Sequence, residues 1–229
     1  MSEALRRVLL VGATGLIGRK VIARGRMLPG MTLTALTRRE LELPRGGWAS
    51  QVIAPVDGWP DAIGAISPDA VICALGTTQG KSGQAGLAAI DRDLVLEVAR
   101  AAQQAGARQF VCVSSVGADA AARAFYLRVK GEAEDGLREL GFARLDLLRP
   151  GLLRGERWHD ARTGERIAQA LAPLTDALMV GSLRRFRSIS AVKVAAAALQ
   201  AVRSGCEGVF VHEHDGLREL AARLPVGLL

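Results

Sequence analysis

Aromatic side chains are scarce in this chain of 229 residues: five phenylalanines, three tryptophans and a single tyrosine, 4% in all. A core made with so few rings must be filled by small and branched aliphatics, and hydrophobic residues reach 49% of the chain. That composition suits strands buried on both faces beneath helices. Cysteine is also rare. Cys73, Cys112 and Cys206 form no C-x-x-C spacing, which argues against a disulfide framework or a thiolate zinc site. Cys73 and Cys112 lie inside apolar runs, as buried reduced thiols do, and the expectation is a cytoplasmic protein. No stretch approaches the roughly eighteen apolar residues of a membrane span, so no membrane partner is expected. The run Val8–Val11 behind Arg6 and Arg7 is cut short by glycine, which reads as a strand and turn rather than a signal peptide.

Lysine is nearly absent as well. The net charge of +7 comes from twenty-six arginines against only four lysines. The arginines are scattered, with doublets at Arg6-Arg7, Arg38-Arg39 and Arg184-Arg185 but no long basic block. No interleaving of aromatic and basic residues marks a nucleic-acid module, and no nucleic-acid partner is expected. Against this background one pair stands out. The lone tyrosine, Tyr126, is followed four residues later by Lys130, one of the few lysines. If Phe125 to Gly131 is helical, the phenol and the ammonium emerge on one face, one turn apart. A phenol beside a cation is a candidate proton donor.

Strand-like and helix-like stretches alternate. Apolar runs predict strands at Val8–Val11, Thr32–Thr37, Gln51–Pro55, Ala70–Leu75, Phe110–Val113 and Phe142–Leu148. Helical patterns fall at Leu16–Leu28, Pro60–Ile66, Asp91–Ala105 and Arg123–Leu140. The rhythm predicts a doubly wound parallel sheet with helices on both faces. Beyond Pro150 it weakens, leaving helices at Thr163–Met179 and Ala191–Arg203 and a last strand at Gly208–His212. Residues 1–229 are expected to form a single domain, with 151–229 a small extension on the substrate side.

Gly12, Gly15 and Gly18 follow the first strand and open the first helix, with Thr14, Leu16 and Ile17 between and around them. Glycines let the backbone turn tightly and approach a pyrophosphate, and the helix N-terminus adds unpaired amides. The second strand ends in Arg38-Arg39 ahead of Glu40. An arginine at that place pairs with a 2′-phosphate, which favours NADP(H) over NAD(H). After the third strand, Asp57 offers a carboxylate to the adenine amino group, or forms a turn.

In their order along residues 1–151 these features resemble the short-chain dehydrogenase/reductase superfamily, in its atypical branch. The carriers are the glycine loop, the arginine step, Asp57, Leu75-Gly76-Thr77, Ser114-Ser115, Tyr126-x-x-x-Lys130 and Arg149-Pro150-Gly151. Within it the chain resembles the group around the Tat-interacting tumour-suppressor oxidoreductase, through Ala74–Gly83, Asp91-Arg-Asp93, Ser114–Asp119 and Tyr126–Glu132. The resemblance implies a Rossmann-type fold and a hydride exchange between NADP(H) and a small carbonyl or alcohol. It implies Tyr126 as proton donor or acceptor and Lys130 as the cation that favours the phenolate and binds the nicotinamide ribose. Ser115 or Ser114 would hydrogen-bond the reacting carbonyl, with Ser115 preferred. Leu75, Gly76 and Thr77 would flank the cofactor, and Pro150 to Leu152 would pass beside the nicotinamide. A cofactor-binding regulatory protein that keeps the fold without turnover is the second reading. The sequence fits a monomer or a homodimer.

Other candidates are thinner. His212-Glu213-His214 would place two imidazoles on one face of a strand, but with no third ligand cluster no metal is expected. His159 lies in the region after the sixth strand, as a pocket residue or a solvated one. No G-x-S-x-G elbow supports a hydrolase.

Overall fold

The computed structural model describes residues 6–25, 28–46, 48–77, 79–154 and 179–224. Six apolar runs become parallel strands of one sheet: β1 (Arg6–Val11), β2 (Met31–Thr37), β3 (Ala49–Ile53), β4 (Ala70–Cys73), β5 (Gln109–Val113) and β6 (Arg144–Leu148). After the short strands β7 (Leu153–Arg154) and β8 (Ile189–Ser190), which pair with each other, β9 (Gly208–His212) joins β6 as a seventh parallel strand. The order is β3-β2-β1-β4-β5-β6-β9. The chain therefore winds outward in one direction from β1 to β3 and in the other from β4 to β9, and the two halves meet at the β1–β4 pair. This is the doubly wound Rossmann-type architecture, in which ligands sit beyond the carboxyl ends of the strands at the switch point.

Alternation along the strands sorts the core into two layers. Val8 and Leu10 on β1 join Ile72 and Val111 on one face of the sheet. Leu9 and Val11 join Val71, Cys73, Phe110 and Cys112 on the other. The first face is covered by α1 (Leu16–Gly25) and by two helices from the C-terminal region, α6 (Ala191–Arg203) and α7 (His214–Arg223). The second is covered by α2 (Trp59–Ile66), α4 (Val95–Gln104) and α5 (Phe125–Glu139). α6 is buried nearly all round, through Val194, Ala195 to Ala198, Leu199, Ala201 and Val202. A helix sunk this far between neighbours needs small side chains, and its alanines supply them.

Several boundaries differ from the sequence reading. α1 is described over Leu16–Gly25, and Leu28, expected to end it, is not helical; a Cβ on Gly25 would meet the Trp48 ring at 2.6 Å. The third strand is Ala49–Ile53 rather than Gln51–Pro55. The stretch assigned to one helix from Asp91 divides into a π-helical segment, Ala89–Leu94, and α4. Before it lies α3 (Gln79–Ala88), which the sequence pattern hides because the segment is glycine-rich and is broken by Gly83 at φ 68°. The helix expected at Thr163–Met179 lies almost wholly outside the described residues, and so does His159.

At the far end of the sheet a polar group is buried among β5, β6 and β9. Asp146, with no exposed surface, accepts from Arg144 Nε at 2.7 Å and Nη2 at 2.8 Å, from Gln109 Nε2 at 3.2 Å, and lies 2.9 Å from His212 Nε2. Arg144 also stacks over the Phe210 ring at 4.2 Å and donates to the Cys206 carbonyl. Burial alone pushes the Asp146 carboxyl up, but hydrogen bonds from His212 and Arg144 outweigh it and hold the group below the ordinary carboxylate range. A depressed folded-state value means that Asp146 contributes stability above the unfolded value, about 3.9, and loses it as pH falls further. Urea titrations of an Asp146→Leu variant are expected to show a loss of about 3–5 kcal/mol at pH 7, because Arg144 is left buried and unpaired. The Arg144→Met/Asp146→Leu double variant is expected to lose less than the single one. The deficit of the single variant should shrink only below about pH 4.

Candidate active site

The parallel registers align the carboxyl ends of the strands in one rim. Val11 stands opposite Cys73, Cys73 opposite Cys112, and Val113 opposite Leu148. The loops carrying the glycines, Gly76, the serine pair and Pro150 therefore leave the sheet along the same edge. At the head of this edge the glycine loop is packed hard against the β4 loop. Gly12 adopts φ +83°, and a Cβ there would run into the backbone of Ala74 and lie 2.7 Å from Leu75 N. A Cβ on Gly18 would strike Gly12 O and lie 2.7 Å from Ala13 Cα. These two glycines thus permit close contact between strand, loop and helix. Thr14 and Gly15 are exposed, and α1 carries no acid in its first turn. The helix N-terminus is free to accept an anion. The Ile17 side chain is in the core, so only its backbone amide can face such a ligand.

Arg38 and Arg39 project from the end of β2, exposed and without a carboxylate partner among the described residues. Thr37 Oγ1 donates to the Arg39 carbonyl at 2.7 Å, which pins the turn. Asp57 is exposed in the short 3-10 turn Val56–Gly58 that follows β3. Leu75 and Thr77 are half-buried and Gly76 is exposed. Pro150 is buried and its carbonyl accepts from Val116 N at 3.0 Å, while Leu152 is exposed.

Tyr126 and Lys130 lie on α5 at the expected i, i+4 spacing. The phenol is half-buried. The Lys130 ammonium is almost wholly enclosed: its Nζ sits 2.8 Å from Asp91 Oδ1 and donates to the Val113 carbonyl at 3.4 Å. Asp91 Oδ2 in turn accepts from Thr77 N at 2.9 Å. Burial pushes the Lys130 amine down, but attraction to Asp91, Tyr126 and Cys112 outweighs it and holds the ammonium well above the ordinary lysine range. Gly76 closes over this pair: a Cβ there would lie 3.4 Å from Asp91 Oδ1 and 3.9 Å from Lys130 Nζ. The sequence reading gave Asp91 no role. Its signal was an acid in register with the apolar stripe Leu94, Val95 and Val98, facing inward where a carboxylate needs a partner.

The serine pair is split by its surroundings. Ser114 is buried, and its hydroxyl donates to Glu134 Oε1 at 2.5 Å. Glu134 also accepts from Arg149 Nη2 at 2.5 Å and from Arg138 Nη2 at 3.2 Å. This carboxylate ties the end of β5, α5 and the end of β6 together. Hydrogen bonding to Glu134 raises the Arg149 guanidinium above its ordinary value. Ser115 is half-buried, and among the described residues its hydroxyl makes one hydrogen bond, a long one of 3.4 Å to the Val116 carbonyl. The histidines do not share a strand face. His212 ends β9 against Asp146, while His214 begins α7 and is buried. Among the described residues no group of three or more His, Cys, Asp or Glu side chains could hold a metal, and no helix is long and apolar enough to cross a membrane.

Replacing Glu134 with alanine removes the shared acceptor and leaves Ser114 and the partly exposed Arg149 without it. Urea unfolding of Glu134→Ala is expected to show a loss of about 3 kcal/mol, at the low end for a broken buried pair. A Ser114→Ala variant is expected to lose about 1 kcal/mol.

Comparison with known proteins agrees with this fold. A family model described as NAD(P)H-binding matches residues 12–205. The protein named FMP52, mitochondrial, of Candida albicans is 33% identical over 226 residues, covering 94% of this chain and 98% of that protein. The rat protein HTATIP2 (Rattus norvegicus) is 44% identical over 101 residues, 44% of this chain and 41% of that protein. The Bordetella bronchiseptica enzyme WbmG, solved in complex with NAD, superposes with a TM-score of 0.66 at 17% identity, over 96% of this chain and 77% of that one, a likeness of fold. One expectation is overturned. FMP52 relatives from four fungi are all named as mitochondrial, against the expected cytoplasmic location. That expectation rested on buried reduced thiols, which report a reducing environment and not one particular compartment. The family match and the rim of glycine, serine, tyrosine and lysine residues lead to one assignment: the chain belongs to the NAD(P)H-binding family, as an atypical short-chain dehydrogenase/reductase resembling HTATIP2.

Proposed function

We propose that the protein is an NADP(H)-dependent oxidoreductase acting on a small carbonyl or alcohol. The observation that carries this reading is the pairing, on one face of α5, of a half-buried phenol with an ammonium enclosed at the rim below Gly76. The glycine loop and the N-terminus of α1 are suited to the pyrophosphate: the loop is exposed at Thr14 and Gly15, and no acid opposes a phosphate there. Arg38 and Arg39, exposed and unpaired by any described carboxylate, support recognition of a 2′-phosphate. Asp57, exposed in the turn after β3, is the carboxylate assigned to the adenine in this reading. Leu75, Gly76, Thr77, Pro150 and Leu152 line the nicotinamide end. A bound nicotinamide supplies or accepts the hydride.

The chain's own residues handle the proton and the developing charge. Tyr126 gives its phenolic proton to the substrate oxygen in reduction and takes one in oxidation. Lys130, fixed as an ammonium, favours the phenolate left behind and hydrogen-bonds the ribose. Ser115 donates to the same substrate oxygen and stabilises alkoxide character. Ser115 is preferred over Ser114 because the Ser114 hydroxyl is already given to Glu134.

Thermal-shift titration is expected to give a larger rise in Tm with NADPH than with NADH, since a ligand at 100 times its Kd adds about 2.7 kcal/mol of stability. An Arg38→Ala/Arg39→Ala variant should narrow that difference, and equal shifts in the parent protein remove the case for NADP(H). Stopped-flow oxidation of NADPH against a carbonyl and quinone panel is expected to fall roughly 100-fold or more in Tyr126→Phe. It should fall about 100-fold in Ser115→Ala. Turnover unchanged by Tyr126→Phe overturns the catalytic role. NADPH binding without turnover on any member of the panel favours a regulatory protein that senses the cofactor.

A further inference from the structure

We propose that Asp91 is the positioning residue of this site: it keeps Lys130 charged and aimed, and it locks the β4 loop to the catalytic helix. The inference rests on the reading of Tyr126 and Lys130 as the proton-handling pair. It adds the group that makes a cation possible there at all.

The argument begins with burial. Lys130 is 4% exposed and Asp91 1% exposed. An ammonium taken out of water without a counter-ion gives up its proton, and enclosed lysines can titrate several units below the ordinary range. Among the described residues Lys130 has one carboxylate in contact, Asp91 Oδ1 at 2.8 Å. The other groups facing it are Tyr126 on its own helix, the Cys112 thiol on β5 and the Val113 carbonyl. Cys73 on β4, beside Cys112, also feels Lys130. None of these bears a full negative charge when the phenol and thiols are protonated. Asp91 is therefore what holds the ammonium charged in a site that would otherwise discharge it.

The backbone is shaped for this contact. Asp91 lies in the π-helical segment Ala89–Leu94, and a local widening of a helix rotates side chains out of the register of a regular α-helix. Its second oxygen accepts from Thr77 N, in the loop assigned to the nicotinamide end. One carboxylate thus joins the loop after β4 to the lysine of α5. An asparagine cannot serve both, because its amide nitrogen is a donor and must face either the ammonium or the Thr77 N–H.

The test reads Lys130 directly. With only four lysines, protein labelled with 13C at lysine Cε gives four resolvable signals, and Lys130→Arg identifies the one in question. In the unliganded parent protein the Lys130 signal is expected to stay at its ammonium position from pH 6 to about 10. In Asp91→Asn it is expected to titrate within that window. A Lys130 signal that titrates below pH 9 in the parent, or stays an ammonium throughout in Asp91→Asn, overturns the inference, and the first arm does not need Asp91→Asn to fold. Turnover in Asp91→Asn should fall progressively as pH rises through the Lys130 transition. If the parent protein shows no Tyr126-dependent turnover, the proposed function fails while the Lys130 signal still decides the role of Asp91.

Discussion

The contact between β1 and β4 is the constraint on which the molecule depends. The chain departs outward from both strands, so the loops that leave them diverge and open a crevice at their carboxyl ends. For that crevice to be shallow enough to grip a dinucleotide, the backbone after β1 must lie directly on the backbone after β4. Gly12 makes this possible at positive φ, with no room for a Cβ beside Ala74 and Leu75. Gly18 lets α1 start close behind, which brings the amides of its first turn to the same place. Everything the rim presents further along, from Gly76 to Pro150, is set by the strand registers that continue outward from this pair.

Three enclosed carboxylates then join elements that hydrogen-bonded strands alone leave separate. Asp91 links the π segment, the β4 loop and α5. Glu134 links α5 to the ends of β5 and β6. Asp146 links β6 to β5 and β9. Enclosed charges of this kind are expensive to desolvate and add little net stability over well-packed apolar groups. Their value lies in direction, since each accepts from donors on two or more elements and fixes how those elements meet. Two of the three converge on α5, the helix that carries Tyr126.

Much of this was readable in the chain. The strands were legible because a strand buried on both faces is a continuous apolar run, and Val8–Val11 or Phe110–Val113 need no partner to be seen. Tyr126 and Lys130 were legible because the composition made each of them rare. The helix Gln79–Ala88 escaped because its glycines carry no periodicity, and α7 because its polar residues outnumber the buried His214, Leu217, Leu220 and Ala221. The two serines could not be told apart by spacing alone. Only the position of Glu134, twenty residues on, shows that one hydroxyl is committed and the other free of a strong partner. Asp91 was visible as a residue but not as a partner, because an ion pair between a π segment and a helix has no local pattern.

The cover over one face of the sheet comes from the wrong end of the chain. Ile72 on β4, Val111 on β5 and Leu148 on β6 share a core cluster with helix α6, residues 191–203, which packs on those strands and on α1. On a ribosome α1, β4 and β5 are complete before α6 has been made. Their apolar face waits without this partner until then, which is the condition under which nascent chains bind chaperones or one another. The helix that closes this face of the sheet is thus made well after the strands it covers.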